Sequence, residues 1–159
     1  MMDEQSRKEK IENLKIKTRR NNICSSLNGI VDDIDITAFI SVNDTIEISN
    51  KIYEKIDSLN NKEKIGKEAE VNISAIFDLK KDYQLYNNEY GLLFHADDRE
   101  CGALMIKVSD FFNNISKIFE FTSFSDGRRD LLFVDKNFRF GICIERYEYY
   151  NCISNWRDK

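Results

Sequence analysis

Three features of the chain predict an α+β fold: an antiparallel sheet of about five or six strands packed against helices, with an N-terminal helix. Short apolar runs alternate with turn residues through the second half. A phenylalanine-rich helical stripe interrupts those runs, and residues 3–20 consist of strong helix formers. The 159 residues suit one domain, 1–159, with residues 1–22 as a surface helix or arm.

Taken in order, residues 3–20 carry only Ile11, Leu14 and Ile16 as apolar groups, a thin stripe suited to the surface. Asn21 to Gly29 reads as a turn. From Ile34 to Val42 apolar residues alternate strictly with Asp35, Thr37, Phe39 and Ser41, which predicts a half-buried strand. Asp44 and Glu47 resemble a capping box ahead of Ile48, Ile52, Tyr53, Ile56 and Leu59 at helical spacing. Residues 60–70 read as a polar connection, and residues 69–82 fit helix and strand equally. Tyr90–His95 and Gly102–Val108 read as paired strands, followed by a helix over 109–121 capped by Ser109. Leu131–Val134, Phe138–Arg146 and Tyr149–Asn155 complete the sheet.

Register arithmetic on a three-residue loop, Asp135 to Asn137, sets Val134 opposite Phe138, with Asn137 suited to the left-handed conformation. Leu132, Val134, Phe138, Phe140, Ile142, Ile144 and Ile153 then share a core face. Phe133, Arg139, Gly141, Cys143, Glu145, Tyr150, Cys152 and Ser154 share a mixed outer face. The same arithmetic sets Cys143 across from Cys152, where a strained disulfide is conceivable. Four widely spaced cysteines without a zinc-site pattern otherwise read as reduced thiols.

At 42% hydrophobic and 33% charged, the chain can bury a core, which excludes collagen-like, low-complexity and wholly disordered classes. No apolar run approaches the roughly 20 residues of a membrane-spanning helix. With 24 basic and 28 acidic residues, the net charge of −4 argues against a dedicated nucleic-acid binder. Charge is uneven: residues 1–22 carry net +3 and residues 23–59 net −5. The basic segment offers no aromatic ring for base stacking. Its carboxylates Asp3, Glu4, Glu9 and Glu12, and the lack of an apolar core, suit neither a transit peptide nor a secretory signal, so a cytoplasmic protein is expected.

Catalytic chemistry finds little footing. His95 is the only histidine, which excludes two-histidine acid–base pairs and multi-histidine metal sites. A dyad of His95 with Cys101 or Cys143 stays open beside a purely structural role. Asp97, Asp98 and Glu100 lack calcium-loop spacing and suit an exposed acidic turn. Gly127-Arg128-Arg129 could contact phosphate or lie in a solvated loop. No phosphate-loop, dinucleotide, zinc-protease or hydrolase motif occurs. No catalytic residue, metal or cofactor is therefore expected.

A binding role has more to build on. Glu145, Tyr147, Glu148 and Tyr150, with Tyr149 among them, form an acidic and aromatic edge. Beside Asp97, Asp98 and Glu100 they make a surface suited to a basic protein, since tyrosines supply rigid contact area and carboxylates pair with Lys or Arg. A tyrosine-rich hairpin packed under the N-terminal helix is the competing reading.

From Tyr90 onward the order is strand, acidic loop, strand, aromatic helix, loop, and then LLFVDKNFRFGICIERYEYYNCIS. This resembles the C-terminal part of small bacterial immunity proteins that accompany contact-dependent or polymorphic secreted toxins. The matching features are the FVDKNFRFGICIE hairpin, where that family shows an aromatic-rich strand after a VDKK-type turn, and the acidic tail behind it. The resemblance covers roughly the last 70 residues; Phe140 and Arg146–Tyr147 stand where a Trp and a His are usual. It implies a cytoplasmic inhibitor that binds a cognate toxin, often a nuclease, without chemistry of its own. Two other readings remain: a small toxin or nuclease-type enzyme using His95 and nearby carboxylates, and a nucleic-acid-binding regulator using the basic N-terminal helix.

Overall fold

In the computed structural model, described for residues 3–31 and 34–158, six helices accompany a six-stranded antiparallel sheet. Met1 and Met2 of the expected arm lie outside the described residues. Helix α1 (Glu4–Ser26) starts where the Asp3 carboxylate accepts the Ser6 N–H at 2.7 Å. It runs through the expected turn at Asn21 and stops at Leu27, ahead of Gly29 with φ +86°.

The expected strand over Ile34–Val42 does not form. The Asp35 carboxylate accepts both the backbone N–H and the hydroxyl of Thr37, which closes a 3-10 turn, Ile36–Ala38. A short polar side chain that caps its own backbone outcompetes a ladder. Only Phe39 retains a single bridge, to Leu104. Helix α2 (Val42–Ser58) then starts at Ser41, whose hydroxyl accepts the Asp44 N–H, while Glu47 pairs along the helix with Lys51 at 3.2 Å. The expected capping box is thus displaced by three residues.

Strand β1 (Glu63–Ile65) arises inside the expected polar connection, and helix α3 (Ala69–Leu79) resolves the ambiguous stretch, continuing as a 3-10 run over Lys80–Tyr86. Strands β2 (Tyr90–Leu93) and β3 (Leu104–Lys107) pair as expected, with the short helix α4 (Asp98–Cys101) between them. The expected aromatic helix is two pieces, α5 (Val108–Asn113) and α6 (Ile115–Phe121). Asn114 breaks it, because its amide donates to the carbonyls of Ile30 and Asp110. Ser109 is no cap; it lies inside α5.

Strands β4 (Leu131–Val134), β5 (Phe140–Arg146) and β6 (Asn151–Arg157) form a meander, and the order across the sheet is β1-β6-β5-β4-β2-β3. The β4–β5 register differs from the expected one. Val134 pairs with Gly141, and Phe138, with φ +61°, takes the left-handed role assigned to Asn137. The cause is Asp135. Its buried carboxylate accepts the N–H groups of Asn137 and Arg139 and the Arg139 guanidinium, which widens the loop.

A shift of odd length moves a strand's side chains to the opposite face. Leu131, Phe133, Phe140, Ile142, Ile144 and Ile153 therefore pack against α3, α5, α6 and the end of α1. Leu132, Val134, Cys143 and Trp156 pack with Ile52 and Ile56 of α2. The face expected to be mixed and open is a second core. In the β5–β6 pair Cys143 lies opposite Ser154 and Cys152 opposite Glu145, so the expected Cys143–Cys152 pairing does not occur; all four cysteines are free thiols. No helix among the described residues is long and apolar enough to cross a membrane.

Candidate functional site

Sheet topology gathers the candidate residues at one end. Leu93, the last residue of β2, pairs with Phe133, and Leu131, the first residue of β4, pairs with Ile144. Arg146, the last residue of β5, pairs with Asn151, as does Ile65 of β1. The loop after β2, the loop before β4 and the β5–β6 turn therefore emerge together.

That end is cross-braced. Arg129 reaches the Ala96 carbonyl at 3.3 Å and the Asp98 carboxylate at 2.9 Å. Arg146 donates to the Phe124 carbonyl at 2.8 Å and lies over the Phe124 ring. The Asp130 carboxylate accepts the Arg146 N–H at 2.8 Å and the Tyr53 hydroxyl of α2 at 2.7 Å. Burial and the Asp130 charge push the Tyr53 phenol well above its ordinary range.

The loop after β2 closes on His95. The ring is buried and stacked on Phe121, with Nε2 at 2.8 Å from the Gly102 carbonyl and Nδ1 accepting the Asp97 N–H at 3.2 Å. This fixes a neutral ring with the proton on Nε2. Burial holds its pKa below the ordinary value, against the opposing pull of the Gly102 carbonyl and of Asp98 and Asp97. Both nitrogens are taken by backbone, so His95 is a clasp for the loop. Cys101 makes no dyad with it: its thiol donates to the Asp97 carbonyl, and burial raises its pKa to about 11.

The seven candidate residues divide accordingly. Asp98, expected on the binding surface, is folded inward, 1% exposed, accepting the His95 N–H at 3.0 Å and the Arg129 guanidinium. Glu100 is exposed but pairs with Arg19 of α1 at 2.6 Å. Asp97 and Glu148 are exposed and take part in no salt bridge among the described residues. In the β5–β6 turn, Tyr147 stacks on Tyr150 at 5.2 Å, and Lys64 of β1 lies 4.6 Å over the Tyr150 ring. Tyr149 projects, 83% exposed. Lys64, Asp130 and Tyr53 lie too far from the turn in sequence for periodicity to bring them in; the ladders of β1 and β6 and the crossing of α2 do so.

Glu145 is half-buried, and its Oε1 makes no hydrogen bond among the described residues. Burial raises its pKa, joined by the charges of Asp130 and Asp57 and opposed by Lys62 and the hydrogen bond with Tyr147. Folding therefore favours the protonated form relative to the unfolded chain. Its contribution to stability is full below the ordinary glutamate value of 4.5 and is lost as pH rises through the raised value. Glu145→Gln is expected to raise the thermal midpoint at pH 7, with the gain vanishing below about pH 4.5. Thermal unfolding of both proteins across that range checks it.

No group of histidine, cysteine or acidic side chains among the described residues is arranged to hold a metal ion. No curated protein and no solved structure matches the chain. The model of the family described as YxiF protein matches residues 23–156, the stretch that holds the sheet up to its last residue and the end just described, and the chain belongs to that family.

Proposed function

We propose that the chain is an immunity protein: a cytoplasmic inhibitor that binds a cognate toxin domain, of nuclease type, through the acidic and aromatic end of its sheet. The observation that carries this reading is the pair of exposed carboxylates, Asp97 and Glu148, in no salt bridge among the described residues, at the same sheet end as the exposed Tyr147 and Tyr149. A surface of this kind suits a basic partner. Tyrosine rings give contact area at small entropic cost, and unpaired carboxylates speed encounter with Lys and Arg.

Glu145 adds to the argument. A half-buried carboxylate crowded by Asp130 and Asp57 is relieved when a partner brings a cation to it. Within this reading Asp98 serves from inside, by holding the loop that presents Asp97 and Glu100. The braces through Arg129, Arg146 and Asp130 keep the end rigid, so little ordering is needed on binding.

The experiment is inhibition of a candidate toxin domain taken from a neighbouring reading frame. Purified chain is expected to block that domain and to protect cells that express it. Protection that survives Asp97→Lys with Glu148→Lys would remove this surface from the interface.

A further inference from the structure

Asn28 and Gly29 follow the last turn of α1, and no other asparagine in the chain precedes a glycine. Asn28 is exposed, and its side chain makes no hydrogen bond among the described residues. Gly29 is exposed too, with φ +86° and open space where a Cβ would stand. The Asn28 side-chain amide therefore faces the backbone nitrogen of Gly29 with no side chain on that residue to hold the two apart. The fold protects the comparable groups. Asp126 is the only aspartate that precedes a glycine, and its carboxylate accepts the Arg128 N–H at 3.2 Å and pairs with the same residue's guanidinium at 3.5 Å. Asn72 and Asn151 are buried, and the Asn114 amide is held by the carbonyls of Ile30 and Asp110.

We propose that Asn28 is a self-modifying site: in the folded protein it converts to aspartate and isoaspartate, and the conversion loosens the seat of α1. The Gly29 nitrogen gives its proton to solvent and attacks Asn28 Cγ. A bond forms between that nitrogen and Cγ, the bond from Cγ to Nδ2 breaks, and Nδ2 leaves as ammonia with a proton taken back from solvent. Water then opens the resulting five-membered imide. Addition at Cγ gives aspartate; addition at the main-chain carbonyl carbon gives isoaspartate, in which the chain runs on through Cβ and Cγ. Water is the only co-reactant, and nothing is oxidised or reduced.

Both products act on a junction of the core. A carboxylate at position 28 stands just past the C-terminus of α1, where the helix dipole is negative and the last turn holds no basic residue. Asp35 lines the same open groove and adds a like charge. Isoaspartate also lengthens the main chain directly after Leu27, which is fully buried. The Leu27 carbonyl accepts the N–H groups of Ile30 and Val31 at 2.9 and 3.0 Å. The Ile30 carbonyl in turn accepts from Asn114 at 2.8 Å, at the break between α5 and α6. An inserted methylene pulls on all three bonds. This site is separate from the sheet end proposed to bind a toxin.

The test is incubation of the full chain in mildly alkaline buffer, with and without urea, followed by peptide mass mapping with fragmentation that distinguishes isoaspartate from aspartate. The folded wild-type chain is expected to gain about 1 Da at Asn28 before any other asparagine reacts, with both products present. Its thermal midpoint should fall by roughly 1–4 °C as conversion proceeds. Asn28→Gln, aged alike, should hold its midpoint. Gly29→Ala, which has room for the added methyl, should keep the Asn28 amide over the time in which the wild type converts by half. An Asn28 amide that survives in the folded chain and reacts only in urea would overturn the inference. So would conversion that begins at another asparagine, or an aged wild-type chain that melts unchanged.

Discussion

Gly102→Ala is expected to destabilise the protein by about 3–5 kcal/mol, the largest effect of any single methyl group in the fold. Gly102 has φ +92° and ψ 154°, a region that side-chain-bearing residues scarcely enter. A Cβ there would fall on the Ile40 carbonyl oxygen, well inside van der Waals contact, with the Arg20 guanidinium 3.4 Å away. That carbonyl cannot retreat easily, because it accepts from Arg20 at 3.0 Å while the Ile40 N–H donates to Ala103 at 3.0 Å. The clash would disturb the junction of α1, α2 and β3 together. For a chain of this size the melting point should fall by roughly 6–20 °C. Gly29→Ala is the control: Gly29 also has positive φ, +86°, but open space around it, so it carries strain alone, about 1–2 kcal/mol. Equal losses for the two would show that the Ile40 contact does not matter.

Asp98→Ala should cost about 2–4 kcal/mol. The substitution strips the buried His95 N–H of its acceptor and Arg129 of its carboxylate, at 3.0 and 2.9 Å. The upper end of that range is tempered because the Arg129 side chain keeps 29% of its exposure and can turn toward water. Asp98→Asn, which keeps an acceptor for the N–H and removes the charge, should lose less than half as much. Denaturant unfolding of the three proteins reads this directly. An alanine variant as stable as the parent would mean that the loop is held by other contacts.

What the sequence made legible was what local chemistry controls. The β2–β3 pair, most of α1, the helix that carries Ile48, Ile52 and Ile56, and the strands of the meander were visible because hydrophobic period and turn residues act within a few positions. Failures came where one polar side chain redirected the backbone. Asp35 closed a turn inside an alternating run, Asn114 split a helix by bonding backward to Ile30, and Asp135 widened a loop and thereby turned β4 over relative to β5. In the candidate site, the clustering of the loop after β2 with the β5–β6 turn depended on strand order. The inward turn of Asp98 depended on Arg129, 31 positions away. Periodicity carries no information on either.

The central claim is that a carboxylate and tyrosine surface at one end of the sheet grips a basic toxin domain. The measurement that tests it most directly is the affinity of a candidate toxin domain, taken from a neighbouring reading frame, for the wild-type chain and for Asp97→Lys with Glu148→Lys. Both proteins should be titrated between about 0.05 and 0.3 M salt. Neither side chain takes part in a salt bridge among the described residues, so the double variant should melt as the parent does while binding about tenfold to a hundredfold more weakly at low salt, with a flatter salt dependence. Equal affinity and an equal salt slope for the two proteins would contradict the claim.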